Sequence, residues 1–201
     1  MEVKTIAVIG ADIVGRAIAF ISVCGEYDTV LEDVSEERLE KAASWITENL
    51  ESSVARGNLG AQGRDAAAAR FSLAHTVEDA ICGADLIIET LPDEVEMQIE
   101  LFTILDKFAK PNAIFATTGR LSVTELAEVT FCGHRCIGMR FHENVEEAKV
   151  VELVRGSDTS VETIAACAEV ARRMGREVVV LEDPAVNNSS ERERKFANAQ
   201  D

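Results

Sequence analysis

The sequence predicts an α/β protein with a doubly wound, mainly parallel sheet and helices on both faces of that sheet. Apolar runs typical of strands alternate with stretches of helical periodicity along almost the whole chain. Such alternation is the pattern of βαβ units, which bring parallel strands side by side. A glycine-rich turn between Gly10 and Gly15 also leads from the first strand into the first helix. We expect a single domain over residues 1–184 and a polar C-terminal tail over residues 185–201.

Seven strands are predicted from short apolar runs, and five helices from apolar residues that recur at helical spacing. The strands are residues 5–9, 29–32, 85–89, 113–117, 136–141, 150–154 and 177–181. The helices are residues 14–24, 36–56, 95–108, 123–129 and 161–174. The Gly/Ala-rich segment 57–70 is interpreted as a helical hairpin or an insertion before the next strand.

Hydroxyl side chains mark the predicted starts of two helices. Ser35 is placed to cap the second helix, because a serine oxygen accepts hydrogen bonds from the free N–H groups of a first turn. Thr159 and Glu162 have the spacing of a capping box for the last helix. Gly175 is expected to end that helix.

The composition disfavours several classes of partner. The formal net charge of −16 argues against nucleic acid and anionic membrane surfaces. No stretch reaches the length of a membrane span and no signal peptide precedes the first strand, so a cytoplasmic location is expected. The five scattered cysteines are expected to be reduced thiols. Cys132, His134 and Cys136 match no common zinc spacing, and no metal site is predicted.

The turn from Gly10 to Gly15 has the spacing of a dinucleotide fingerprint, with one change. In that fingerprint the second glycine leaves room for the pyrophosphate, and Asp12 stands at its position. A carboxylate about 5 Å from a pyrophosphate charge costs about 3 kcal/mol at an effective dielectric of about 20. This energy corresponds to about a hundredfold in affinity. NAD binding to a Rossmann-type fold is therefore expected to be weakened and not abolished.

Asp33 follows the second strand, eighteen positions after Gly15. A carboxylate at this place accepts hydrogen bonds from the adenosine ribose hydroxyls and repels the extra phosphate of NADP. The alternative interpretation is a charge at the N-terminus of the following helix. The candidate cofactor-binding residues are thus Gly10, Asp12, Gly15 and Asp33, with NAD favoured over NADP.

A series of further motifs occurs in a fixed order between residues 3 and 183. They are VIGA at 8–11, EDVSEE at 32–37, ADLIIE at 84–89, ELF at 100–102, LSVTEL at 121–126, IGM at 137–139, KVVELV at 149–154 and RMG at 173–175. Together they resemble the NAD-binding domain of the 3-hydroxyacyl-CoA dehydrogenases. The resemblance implies an NAD-dependent interconversion of 3-hydroxyacyl and 3-ketoacyl thioesters, a reaction of fatty acid metabolism.

The resemblance also implies a histidine base in a Gly-Met-His-Phe run, oriented by a glutamate twelve residues later. The matching run has Arg140 in the histidine position, and Glu152 stands twelve residues beyond it. An arginine stays protonated far above neutral pH, so it does not accept the hydroxyl proton. Arg140 is instead expected to form an ion pair with Glu152. Gln98 stands where the family has a lysine, and the loop before Leu121 is one residue shorter than the family's.

The sequence is compatible with three functions, of which the first is preferred. The first is a degenerate homologue, or pseudoenzyme, with a binding or interaction role. The second is an enzyme of altered chemistry on an acyl thioester or related small molecule, using His142 with Glu143 or Glu152. The third is a weak NAD-dependent 3-hydroxyacyl-CoA oxidoreductase. The resemblance ends before the family's C-terminal helical domain, which builds the dimer, so a homo-oligomer is left open.

Overall fold

The computed structural model describes residues 2–141, 145 and 147–186 of the chain. This part contains eight strands, numbered β1 to β8 in chain order. They are Thr5–Ile9, Asp28–Glu32, Phe71–Ala74, Leu86–Glu89, Ile114–Thr117, Cys136–Phe141, Val150–Arg155 and Glu177–Glu182. The same part contains seven α-helices, α1 to α7. They are Ile13–Cys24, Glu36–Ala55, Ala61–Ala69, Val77–Ile81, Val95–Phe108, Val123–Ala127 and Val161–Arg173.

All eight strands form one sheet in the order β3-β2-β1-β4-β5-β6-β7-β8. Neighbouring strands are parallel except β6 and β7, which are antiparallel. The chain proceeds outward from β1 to β3 and then returns to β4 on the other side of β1. This reversal is the topological switch point of a doubly wound sheet. The α/β, Rossmann-type prediction is confirmed.

The core lies in two layers, one on each face of the sheet. Successive strand residues point to opposite faces. Along β1, Ile6 and Val8 therefore join the layer covered by α1, α2 and α7. Ala7 and Ile9 join the layer covered by α4, α5 and α6. The short β1 strand is buried on both faces, as parallel strands between helices are.

Each of the predicted strands and helices matches an observed element to within two residues at each end. Two short elements were missed, the strand β3 and the helix α4. β3 is a four-residue edge strand with two exposed residues, so it lacks the continuous apolar run on which the prediction depended. The segment 57–70 contains one helix, α3, and is not a helical hairpin.

The predicted capping box at Thr159 is wrong, because Ser160 caps α7. The Ser160 hydroxyl accepts a hydrogen bond from the Thr163 N–H at 3.2 Å. Thr159 Oγ1 instead donates to the Cys136 carbonyl at 2.7 Å and accepts from the Gly156 N–H at 2.8 Å, which binds the turn to β6. The Ser35 cap is confirmed by a bond of 3.3 Å from the Arg38 N–H.

Two further predictions concern membrane-spanning segments and the C-terminal tail. Among the described residues, no helix combines the length and apolar character that crossing a bilayer requires. The predicted polar tail falls outside the described residues, apart from its first two positions.

Candidate functional site

A cavity of about 770 Å³ opens at the carboxyl ends of β1, β2 and β4. Ligands of open α/β sheets bind at this switch point, and the volume is within the range of small-molecule and cofactor pockets. Ile9 and Glu32, at the ends of β1 and β2, contribute to the lining. Val77 of α4 and Leu101 and Ile104 of α5 contribute apolar surface. The cavity is therefore the candidate binding site.

The two retained fingerprint glycines have the geometry that the sequence predicted. Gly10 adopts a φ of 101°, in the region that favours glycine, and its N–H donates to the Glu32 carbonyl at 2.8 Å. A Cβ atom at Gly15 would come within 1.8 Å of the Gly10 carbonyl oxygen. Gly15 thus lets α1 approach the β1 turn directly.

Asp12 is the N-cap of α1. Its Oδ1 accepts hydrogen bonds from the Val14 N–H at 3.0 Å and the Gly15 N–H at 2.9 Å. Free N–H groups of a helix N-terminus are the groups that bind phosphates. The carboxylate thus occupies donors that a pyrophosphate would use, in addition to carrying a like charge. The sequence signal for this role was an aspartate directly before a helix, a preferred capping residue.

Asp33 joins the glycine turn to α2. Its Oδ2 accepts from the Ala11 N–H at 3.0 Å, and its Oδ1 from the Ser35 N–H at 2.9 Å. Arg38 Nη1 lies 3.6 Å from Oδ2, and the Asp33 side chain is 5% exposed. An ionised carboxylate has about four acceptor sites, so these contacts leave capacity for ribose hydroxyls. The ribose-binding role stays a prediction.

Three cations line the cavity although the chain is acidic overall. Arg16 stacks on Trp45 at 4.7 Å from the ring centroid, a cation–π contact. Arg38 pairs with Asp33 as described, and Lys41 pairs with Glu37 at 2.6 Å. The local field at the cavity mouth is therefore less negative than the net charge indicates, which reduces the electrostatic objection to an anionic ligand.

Glu32 is a candidate site residue that the sequence analysis missed. It is 3% exposed, it lines the cavity, and its Oε1 is buried without a hydrogen-bond partner. Burial, reinforced by the charges of Asp33 and Glu78, raises the pKa of Glu32 to about 7. The available signal was an acid at the end of an otherwise apolar strand run. Its burial depends on the packing of α4 and α5, which the sequence did not reveal.

A Glu32→Gln variant is expected to remove part of the pH dependence of stability. The raised pKa means that the folded protein holds a proton that the unfolded chain releases. This stabilisation is complete below the unfolded pKa of about 4.5 and is lost as the pH rises through about 7. Between about pH 5 and about pH 8, the free energy of unfolding of the wild type should fall by about 2 kcal/mol more than that of the variant.

Urea unfolding at several pH values measures this difference. Glu40→Gln, which changes an exposed acid on α2, is the matched control and should follow the wild type. Parallel pH profiles for wild type and Glu32→Gln would show that the Glu32 carboxyl is ionised in the folded protein throughout this range.

A second buried acid lies at the end of β4. Glu89 is fully buried, and its Oε1 accepts a hydrogen bond from the Thr117 hydroxyl. Its Oε2 accepts from the Leu91 N–H at 2.9 Å, and Thr117 Oγ1 accepts from the Gly119 N–H at 3.0 Å. Burial raises the pKa of Glu89 to about 7. This network supports the loop after β5, which reaches toward β6.

Arg140 lies in β6, directly opposite Glu152 of the antiparallel strand β7. Its Nε donates to the Gly119 carbonyl at 3.1 Å, so the guanidinium is attached to the loop after β5. The strand register thus places Arg140 next to Glu152, which stands twelve residues later in the sequence. The ion pair between them stays a prediction. His142 and Glu143 lie outside the described residues.

Residues 5–184 match the family model described as 3-hydroxyacyl-CoA dehydrogenase, NAD binding domain. The chain belongs to this family. It is similar to the 3-hydroxybutyryl-CoA dehydrogenase of Bradyrhizobium diazoefficiens, with 34% identity over 90% of this chain and 62% of the relative. It is also similar to a probable 3-hydroxybutyryl-CoA dehydrogenase of Bacillus subtilis, with 32% identity over 91% of this chain and 64% of the relative.

Solved structures of dehydrogenases share the fold. The 3-hydroxybutyryl-CoA dehydrogenase of Escherichia coli K12 superposes with a TM-score of 0.87 at 28% identity, over 91% of this chain and 39% of that one. The (S)-3-hydroxybutyryl-CoA dehydrogenase PaaH1 of Ralstonia eutropha gives 0.85 at 25% identity, over 90% and 64%. The chain thus spans less than two thirds of the length of these dehydrogenases.

Gln98 of α5 lies against the loop after β5, since a Cβ atom at Gly119 would come within 2.8 Å of its Nε2. Gln98 is fully buried, and its Nε2 donates to the Pro92 carbonyl at 3.4 Å. Its Oε1 is buried without a partner.

The cysteine and histidine cluster of the sequence lies away from this cavity. Cys132 and Cys136 are buried beside the 3₁₀ turn that carries His134. In the portions of the chain that are described, no group of three or more His, Cys, Asp or Glu side chains is arranged to hold a metal ion.

Proposed function

We propose that this chain is a binding module of the 3-hydroxyacyl-CoA dehydrogenase family that does not catalyse ordinary dehydrogenation. The observation that carries the proposal is the place of Arg140, opposite Glu152 and bonded to the Gly119 carbonyl. Oxidation of a hydroxyl group needs a base that accepts its proton as hydride leaves. A guanidinium has no free acceptor and stays protonated, so it does not perform this step.

The proposal assigns the cavity to an adenine dinucleotide of the NAD type, bound more weakly than a complete fingerprint would allow. NAD, when bound, supplies the hydride acceptor or donor. Gly10 forms the tight turn, Gly15 lets α1 pack against β1, and Asp33 would accept hydrogen bonds from the ribose hydroxyls. Asp12 opposes the pyrophosphate by charge and by occupying two N–H donors. We also propose a cytoplasmic location for the protein, as expected from the sequence.

Two assays on the purified chain test the proposal. Titration of NADH, followed by nicotinamide fluorescence, should show saturable binding. Consumption of NADH with acetoacetyl-CoA should not exceed the rate without protein, while the Bradyrhizobium relative serves as the positive control for the assay. Sustained reduction of acetoacetyl-CoA by the wild-type chain would overturn the non-catalytic role, and absence of NADH binding would overturn the dinucleotide role.

A further inference from the structure

The unpartnered carboxyl of Glu32 is the feature of the cavity that the proposed function leaves unexplained. Glu32 ends β2 and is in register with Ile9 at the end of β1, so both side chains point to the same face of the sheet. This face carries α4 and α5, whose side chains Val77 and Leu101 line the same cavity. Glu32 is thus a polar group set in a mainly apolar part of the lining.

No cation in the described structure satisfies this carboxyl. Arg38 pairs with Asp33, Lys41 pairs with Glu37, and Arg16 stacks on Trp45. The charged groups that act on the Glu32 carboxyl are Asp33 and Glu78, and both are acids. A buried acceptor without a partner is costly, and a ligand that brings a hydrogen-bond donor removes that cost. The site therefore selects for an N–H donor on its ligand.

We propose that Glu32 recognises the exocyclic amino group of an adenine held in this cavity. The inference rests on the proposed function, because the adenine belongs to the proposed dinucleotide. Asp33, the next residue, is placed for the adenosine ribose, so the base attached to that ribose lies near Glu32. The flat ring would pack against the apolar lining of the cavity, which includes Leu101 and Ile104 of α5.

Adenine can form hydrogen bonds with the Glu32 carboxyl whether that carboxyl is ionised or protonated. An ionised carboxylate accepts from the N6 amino group, and a protonated one also donates to the neighbouring ring nitrogen. In hypoxanthine a carbonyl oxygen replaces the amino group and faces the carboxylate as a second acceptor, and the donor on that edge moves to the ring N1–H. A carboxylate positioned for the amino group therefore loses its hydrogen bond to that position and meets the repulsion of the carbonyl oxygen. Glu32 is accordingly a specificity-determining residue.

The test compares NADH with reduced nicotinamide hypoxanthine dinucleotide, both followed by nicotinamide fluorescence, at a pH above the Glu32 pKa of about 7. The wild type should prefer NADH by about 10- to 100-fold, the range of one good contact to a base edge. Glu32→Gln should reduce this ratio to about one, because an amide can donate to the carbonyl as well as accept from the amino group. Glu40→Gln should retain the preference of the wild type.

A second arm separates this inference from the proposed function. Adenosine and inosine lack the pyrophosphate, so calorimetric titration with them is independent of Asp12. The wild type could prefer adenosine to inosine, lose this preference in Glu32→Gln, and yet show no binding of NADH. That result would support the inference and overturn the dinucleotide role. NADH binding without discrimination between the bases, discrimination that survives in Glu32→Gln, or no binding of any of these ligands would overturn the inference.

Discussion

An Asp12→Gly variant is expected to bind NADH about a hundredfold more tightly than the wild-type chain. The substitution removes a negative charge about 5 Å from the expected pyrophosphate, which is worth about 3 kcal/mol at an effective dielectric of about 20. It also frees the Val14 and Gly15 N–H groups that the carboxylate now occupies. Glycine is tolerated at an N-cap at a cost of only a few tenths of a kcal/mol. Fluorescence titration of NADH measures the change.

The Asp12→Asn variant separates the effect of the Asp12 charge from the effect of the occupied N–H donors. Asparagine caps helices as well as aspartate does, so the N–H donors stay occupied while the charge is removed. The affinity of Asp12→Asn for NADH should therefore lie between those of the wild type and Asp12→Gly. Equal affinities for all three proteins would mean that the side chain at residue 12 lies away from the ligand, and the dinucleotide would then occupy the cavity in a different way.

A Gly15→Ala variant is expected to lose about 3–5 kcal/mol of unfolding free energy, the upper range for single substitutions. The added Cβ would meet the Gly10 carbonyl oxygen at 1.8 Å and Thr90 Oγ1 at 2.9 Å. The first of these is a backbone atom in a turn whose conformation is held by the bond from Gly10 to Glu32, so it cannot move independently. Separation of α1 from β1 also exposes core surface. Chemical denaturation measures the loss.

Gly83→Ala is the matched control for this variant. A Cβ at Gly83 has no neighbour within 4 Å, and Gly83 does not have a positive φ. Its substitution should change the unfolding free energy by no more than about 0.5 kcal/mol. A Gly15→Ala protein as stable as Gly83→Ala would show that α1 has freedom to shift away from the turn.

The sequence was most informative where the constraint is local. The strand, glycine turn and helix at the start of the chain follow from apolar periodicity and from the backbone freedom of Gly10. The family resemblance drew attention to Arg140 and Glu152 together, and the strand register places them opposite each other, while their ion pair stays a prediction. Each of these features depends on residues close in sequence or on a recognisable pattern.

The features that the sequence did not reveal depend on contacts between distant elements. Glu32 is buried because α4 and α5 cover the end of β2, and α4 itself was missed as a short helix of five residues. Glu89 is satisfied by Thr117 of the neighbouring strand, a partner that sequence spacing does not identify. Side-chain burial and hydrogen-bond partners of this kind emerge only when the layers are assembled.

The reversed direction of β7 has a consequence for redesign. Arg140 and Glu152 face each other across the antiparallel β6–β7 ladder. A slip of β7 by one residue against β6 would turn one of the two side chains to the opposite surface of the sheet. A proton acceptor introduced at residue 140 would therefore inherit a carboxylate neighbour with no change in the main chain. The antiparallel ladder thus holds any side chain introduced at residue 140 opposite Glu152.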